Sequence, residues 1–168
     1  MRSIFTSFTL YLPVPAASVT ALAAADAGEI TAPPQGSGQH ILYLDDDEAL
    51  VFLVKRLLER RGCRVSAFTD QREALAALRA EPESFDLVVT DYNMPGMSGL
   101  DVVREARTIR AGLPVAIASG FIDETLRANA HAAGVRELIF KAGAVDDLCT
   151  AITRLAGSLR KQSAPTPR

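Results

Sequence analysis

Long hydrophobic runs, clustered positive charge and cysteine are all scarce in this chain of 168 residues. No run approaches the roughly 20 apolar residues that cross a bilayer, so membrane insertion is not expected. Lys and Arg number 18 against 20 Asp and Glu, for a net charge of −2, and no long basic stretch breaks that balance. The electrostatic footprint of a dedicated nucleic-acid binder is therefore missing, and no direct nucleic-acid contact is expected. The two cysteines, Cys63 and Cys149, lie far apart with no CxxC and no histidine at ligand spacing. This disfavours a disulfide scaffold or a zinc site and favours two small buried residues in a reduced, cytoplasmic protein. His40 and His131 have no partners at useful spacing and receive no site role. Internal repeats and heptad seams are lacking as well.

What is present suits one globular domain with loose ends, since the length is ordinary for a domain and 48% of residues are hydrophobic. Residues 1–39 are rich in Ala, Ser, Thr, Pro and Gly and end in TAPPQGSGQ, the composition of a linker. Arg2, the stretch IFTSFTLYL and the later ALAAAD have some likeness to a signal peptide. Pro13, Pro15 and several hydroxyl residues weaken its apolar segment, so a disordered leader or tether is expected. The folded domain is expected over residues 40–157, with SLRKQSAPTPR, residues 158–168, as a disordered basic tail.

Between these ends, short apolar runs alternate with amphipathic stretches. ILYL precedes EALVFLVKRLLERR, CRVSAF precedes DQREALAALRA, and FDLVVT precedes SGLDVVREARTIR; PVAIAS then leads to DETLRANAHAA, and RELIF to AVDDLCTAITRLAGSLR. Five strand–helix units of this kind predict an α/β fold, a doubly wound parallel sheet with helices on both faces. The near-continuous apolar character of the strands agrees with burial on both sides. Gly62, Gly112 and Gly134 fall where the first, third and fourth helices should stop, and Ser98 with Asp101 forms a capping box opening the third.

Polar residues stand where the apolar runs end: Asp45 and Asp46 after ILYL, Asp91 after LVVT, Ser119 after VAIA, Lys141 after ELIF. Carboxyl ends of parallel strands converge on one edge, where open α/β sheets bind ligands. Three carboxylates, a hydroxyl and an ammonium would meet there, a set suited to a divalent cation and a phosphoryl group. Adjacent acids at a strand end repel one another and ask for a compensating cation, so Asp45 and Asp46 are read as metal ligands. Asp47 is read as a helix cap.

ILYLDDDEAL, FDLVVTDYNMPGMSGLDVV, LPVAIASG and RELIFKAG follow one another in an order and spacing that resembles the receiver domains of bacterial two-component response regulators, single-domain or within a hybrid histidine kinase. The likeness covers about residues 40–157 and implies a flavodoxin-like sheet of order 2-1-3-4-5. It further implies that Asp91 is the phosphoacceptor, taking a phosphoryl group from a histidine kinase or a histidine phosphotransfer protein. Asp45, Asp46, Asp91 and the main-chain carbonyl of Asn93 would hold Mg²⁺, while Lys141 and Ser119 would contact the phosphoryl oxygens. Output would pass by protein–protein contact through the helix 4, strand 5, helix 5 face to a downstream target, without turnover of an independent substrate.

Three departures from the family pattern stand out. Ala142 follows Lys141 where the family has proline after a cis bond; a cis bond before a non-proline residue costs about 2.5–4 kcal/mol, so a trans bond is expected. Leu138 occupies the position of an aromatic switch residue, and its isobutyl group offers neither ring area nor a polar tip. Phe121 follows the Ser119–Gly120 pair and is expected as an exposed contact rather than a core residue. Two rival functions remain. A haloacid-dehalogenase-like phosphatase with Asp45 as nucleophile can be traced through Asp45, Asp47, Ser119, Lys141, Asp146 and Asp147, and a pseudo-receiver would bind partners without phosphorylation.

Overall fold

The structure, a computed structural model, describes residues 38–141 and 143–163. The leader expected over residues 1–39 lies outside the described residues as far as residue 37, and so does the bond between Lys141 and Ala142. Strands and helices alternate: β1 (His40–Leu44), α1 (Glu48–Arg60), β2 (Arg64–Phe68), α2 (Gln71–Ala80), β3 (Leu87–Asp91), α3 (Gly99–Ile109), β4 (Val115–Ser119), α4 (Glu124–Ala133), β5 (Glu137–Phe140) and α5 (Val145–Ser163). A short 3₁₀ turn, Pro82–Ser84, leads into β3. The sheet is parallel with order β2-β1-β3-β4-β5, as expected.

The central strands β1, β3 and β4 are buried throughout, which is why their sequences read as continuous apolar runs. Alternate residues nonetheless divide between two cores, because side chains of a strand point to opposite faces in turn. Ile41, Tyr43, Leu87, Val89, Ala116, Ala118 and Ile139 pack with α1 and α5. Leu42, Leu44, Val88, Val115 and Ile117 pack with α2, α3 and α4. Both cysteines belong to the first core, unpaired and buried. Burial pushes both thiols up, Cys149 to about 11, so neither carries the thiolate that reactivity or metal binding needs. Among the described residues no helix is long and apolar enough to cross a membrane.

Helix starts follow the sequence closely. Asp47 caps α1 by accepting from the amides of Ala49 and Leu50, at 2.9 and 3.1 Å, and Asp70 does the same for α2. The Ser98–Asp101 capping box at α3 is present. Helix stops follow it less well: Gly62 and Gly134 adopt the left-handed conformation that ends α1 and α4, but Gly112 does not. Instead α3 ends at Arg110 with extended backbone, two residues earlier, and Arg110 reaches back to the carbonyls of Pro82 and Phe85. The last helix runs to Ser163, past the expected boundary at residue 157.

His40 also has partners the sequence did not disclose. One ring nitrogen, Nδ1, donates to the Ser84 carbonyl at 3.0 Å, leaving Nε2 to accept from the Ser66 hydroxyl at 2.9 Å. The ring lies 4.4 Å from that of Phe85, and the His40 amide donates to Asp86. These contacts fasten β1, β2 and the 3₁₀ turn together at the amino edge of the sheet, away from the strand ends that carry the acids.

Candidate phosphoryl and metal site

Four of the expected groups meet at the carboxyl edge of the sheet. Oxygens of Asp45, Asp46 and Asp91 all lie within 4.8 Å of one another. Asp45 and Asp91 are buried and Asp46 is exposed. Topology explains the meeting: β1 and β3 are adjacent, so the turn after Leu44 and the last residue of β3 come side by side. Asp91 proves to be the final residue of β3, paired with Ala118, rather than the first residue beyond it.

Lys141 arrives from the far edge of the sheet, just past β5, and its ammonium bridges two of the acids. Nζ donates to Asp45 Oδ2 at 2.7 Å and to Asp91 Oδ1 at 2.6 Å. Burial alone would lower the lysine's pKa, but the hydrogen bonds to Asp45 and Asp91 outweigh it and hold the group above its ordinary value. Main-chain amides complete the arrangement, Asp47 donating to Asp45 Oδ1 at 3.2 Å and Asn93 to Asp91 Oδ2 at 2.8 Å.

The segment DYNMPGMSG serves this geometry. Met94 is buried in the α2–α4 core and anchors the loop, while the Gly99 amide bonds back to the Tyr92 carbonyl at 2.9 Å. Gly99 opens α3 directly against the end of β3. A Cβ there would stand 2.3 Å from the Asp91 carbonyl oxygen, so only glycine permits the approach.

Ser119 lies at the same edge, but its hydroxyl is engaged elsewhere. It donates to the Phe121 carbonyl at 2.6 Å and lies 3.3 Å from the Phe121 amide, a local turn that competes with any contact to the acids. Phe121 is 73% exposed, so it is not the core residue that was the alternative to an exposed position. Leu138 is half-buried against the α2–α4 core. Tyr43 is the partner that sequence reasoning missed. Its hydroxyl, at the tip of a fully buried ring, donates to Asp45 Oδ2 at 2.9 Å. Burial, then the Asp45 charge, pushes the phenol's pKa far above its ordinary value and keeps it a donor. The available signal was position, because Tyr43 stands two residues before Asp45 and so points to the same face.

The phosphatase trace does not assemble. Asp47 is taken up in capping α1. Asp146 pairs with Arg61 at 2.7 Å, and Asp147 accepts from the Ala144 amide at the start of α5, so neither joins the acidic cluster. A cavity of about 790 Å³ lies at the opposite, amino edge, lined by residues including Asp86, Arg107 and Arg110, and holds none of the expected site residues. The candidate ligand atoms of this cluster are carboxylate oxygens of Asp45, Asp46 and Asp91, which fit a hard divalent cation such as Mg²⁺ better than a softer metal.

Comparison with known proteins agrees with this geometry. The family model for the response regulator receiver domain matches residues 41–153. Among curated relatives, the sensory/regulatory protein RpfC of Xanthomonas campestris pv. campestris is 32% identical over 130 residues, covering 74% of this chain and 18% of that protein. The virulence sensor protein BvgS of Bordetella pertussis is 36% identical over 136 residues, covering 76% of this chain and 10% of its own length. The chain thus spans about a fifth or less of these relatives. Among solved structures, a receiver domain protein from Clostridium thermocellum superposes with a TM-score of 0.67 at 29% identity, covering 75% of this chain and 99% of that one. A CheY-like receiver domain protein from Methanospirillum hungatei gives 0.67 at 28%, covering 76% and 100%.

Proposed function

Because the chain belongs to the response regulator receiver domains of two-component systems, we propose that Asp91 accepts a phosphoryl group from a phosphohistidine of a histidine kinase or histidine phosphotransfer protein. One Asp91 carboxylate oxygen forms the new P–O bond as the P–N bond breaks. The departing imidazole nitrogen keeps the electron pair of that bond. The observation that carries this reading is the ammonium of Lys141 held between Asp45 and Asp91, with Asp46 close by. Asp45, Asp46, Asp91 and the Asn93 carbonyl would hold Mg²⁺. When bound, the cation supplies the charge neutralisation that an anionic nucleophile needs beside a phosphoryl group.

Lys141 and Ser119 carry the rest of the work. The lysine exchanges a carboxylate for a phosphoryl oxygen, and the Ser119 hydroxyl leaves the Phe121 carbonyl for another. Release of that turn shifts the exposed Phe121 ring and biases the α4–β5–α5 face toward a downstream protein target. Substrate turnover beyond the protein's own phosphorylation and dephosphorylation is not part of the reading. A cytoplasmic setting, shared with the phosphodonor, suits the unpaired buried thiols.

Intact-mass analysis after incubation with acetyl phosphate tests the proposal. Wild type with Mg²⁺ should gain one phosphoryl adduct, absent in Asp91→Asn and absent without metal. A folded, Mg²⁺-binding wild type that gains no adduct would point to a pseudo-receiver, and an adduct surviving in Asp91→Asn would revive Asp45 as nucleophile.

A further inference from the structure

Asp45 is almost entirely shielded from solvent, with 1% exposure, so every hydrogen bond to its carboxylate has to come from protein or ligand. Oδ2 takes two side-chain donors, Lys141 Nζ at 2.7 Å and the Tyr43 hydroxyl at 2.9 Å. Oδ1 takes the Asp47 amide at 3.2 Å, a long bond that leaves lone-pair capacity for a cation. The two donors on Oδ2 differ in kind. Lys141 is a flexible chain that also bonds Asp91, whereas Tyr43 is a rigid ring fixed in the α1–α5 core among Ile41, Val54 and Ile152. A phenol adds a donor without adding charge, and its hydroxyl cannot wander because the ring cannot.

Once a phosphoryl group sits on Asp91, its oxygens compete with Asp45 for the Lys141 ammonium, which in the free protein bonds both acids. Asp45 Oδ2 then depends on Tyr43. We propose that Tyr43 is a positioning residue of the acidic site, which holds Asp45 in its metal-binding orientation while Lys141 is drawn to the phosphoryl group. This rests on the receiver reading given above and adds to it a residue outside the set of acids, hydroxyl and lysine. Removing the hydroxyl costs little in the free protein, where Lys141 still covers Oδ2. It costs more in the phosphorylated state, where a buried carboxylate oxygen would lose its remaining side-chain donor.

The test compares wild type with Tyr43→Phe by isothermal titration, first with Mg²⁺ alone and then with beryllofluoride in saturating Mg²⁺, a non-hydrolysing stand-in for the aspartyl phosphate. Mg²⁺ affinity of the free protein should change by less than about twofold, while affinity for beryllofluoride should fall about tenfold or more, the size of one hydrogen bond to a charged group. Equal losses in both titrations, or a lowered urea midpoint with both affinities intact, would reduce Tyr43 to a core residue and overturn the proposal. Should Tyr43→Phe fail to fold, wild type supplies the answer by proton NMR. The hydroxyl resonance of Tyr43 should stay protected from exchange in the beryllofluoride complex, and its disappearance there would overturn the proposal. A wild type that binds Mg²⁺ but never beryllofluoride would sink the receiver reading and this inference with it, an outcome separable from a Tyr43 effect because it precedes any substitution.

Discussion

Replacing Lys141 with methionine removes an ammonium shared by two carboxylates while keeping most of the stem's volume. Nζ stands 2.7 Å from Asp45 and 2.6 Å from Asp91, and the side chains of Lys141, Asp45 and Asp91 are 17%, 2% and 9% exposed. At an effective dielectric of ~20, unit charges ~4 Å apart attract by about 4 kcal/mol, so two pairs supply about 8 kcal/mol gross. Desolvating the ammonium takes back several kcal/mol, and removing one partner of a buried pair leaves a net loss of about 3–5 kcal/mol. The lower end applies here, since Asp45 keeps the Tyr43 hydroxyl and Asp47 amide and Asp91 keeps the Asn93 amide. Lys141→Met should therefore lose about 3 kcal/mol at pH 7 in urea unfolding followed by far-UV circular dichroism. Saturating Mg²⁺ should return part of that loss, because a cation replaces the missing counter-charge. The pH dependence has a definite sign. The hydrogen bonds to Asp45 and Asp91 raise the folded lysine's pKa despite burial, so its contribution is complete below about pH 10.4, the ordinary lysine value, and fades as pH rises through the folded value. The variant should lack that alkaline limb. A loss below about 1 kcal/mol, or one that Mg²⁺ leaves unchanged, would refute the role of the ammonium as counter-charge to the acids.

Gly99→Ala places a methyl 2.3 Å from the Asp91 carbonyl oxygen and 3.0 Å from Tyr92 Cα, both backbone atoms that cannot swing aside. The expected cost is about 2–3 kcal/mol, with acetyl-phosphate labelling slowed because the end of β3 must shift; an unchanged urea midpoint would show that α3 can retreat freely. His40→Gln should change the acid limb of stability. Burial, then the Arg64 charge, lowers the histidine's pKa against the opposing Ser84 carbonyl, Asp86 and Glu81, so the folded state resists a proton that the unfolded chain accepts below about pH 6.5. Wild-type stability should fall as pH drops through that range, and the urea midpoint of the variant should fall less steeply between about pH 7 and 5. Identical slopes would remove His40 from the account.

Much of this protein is legible along the chain because two periodicities are strong. Continuous apolar runs alternating with amphipathic stretches force a parallel sheet covered on both faces, and a parallel sheet brings its carboxyl ends together. The pattern therefore puts Asp45, Asp46, Asp91 and Lys141 at one edge, and in the fold the four meet. Helix starts were equally readable, since Asp47 and Ser98 act on amides two or three residues away. What the chain alone left open depends on contacts between residues distant in sequence. Gly112 resembles Gly62 and Gly134 as a helix stop, yet α3 ends earlier, where Arg110 finds the carbonyls of Pro82 and Phe85. His40 lacked partners by spacing and found them in Ser66 and Ser84, 26 and 44 residues away. Ser119 has the expected address, but the turn at Phe121 claims its hydroxyl. Tyr43 passed as one more apolar residue of ILYL, because pattern weighs a tyrosine by its ring. Only the packing of that ring between β1 and the α1–α5 layer fixes where its hydroxyl ends, against the one carboxylate oxygen it shares with Lys141. Local sequence thus determined the elements and the edge on which the chemistry gathers. Tertiary structure decided which hydrogen bond each polar group makes, since that choice depends on the neighbours that folding supplies.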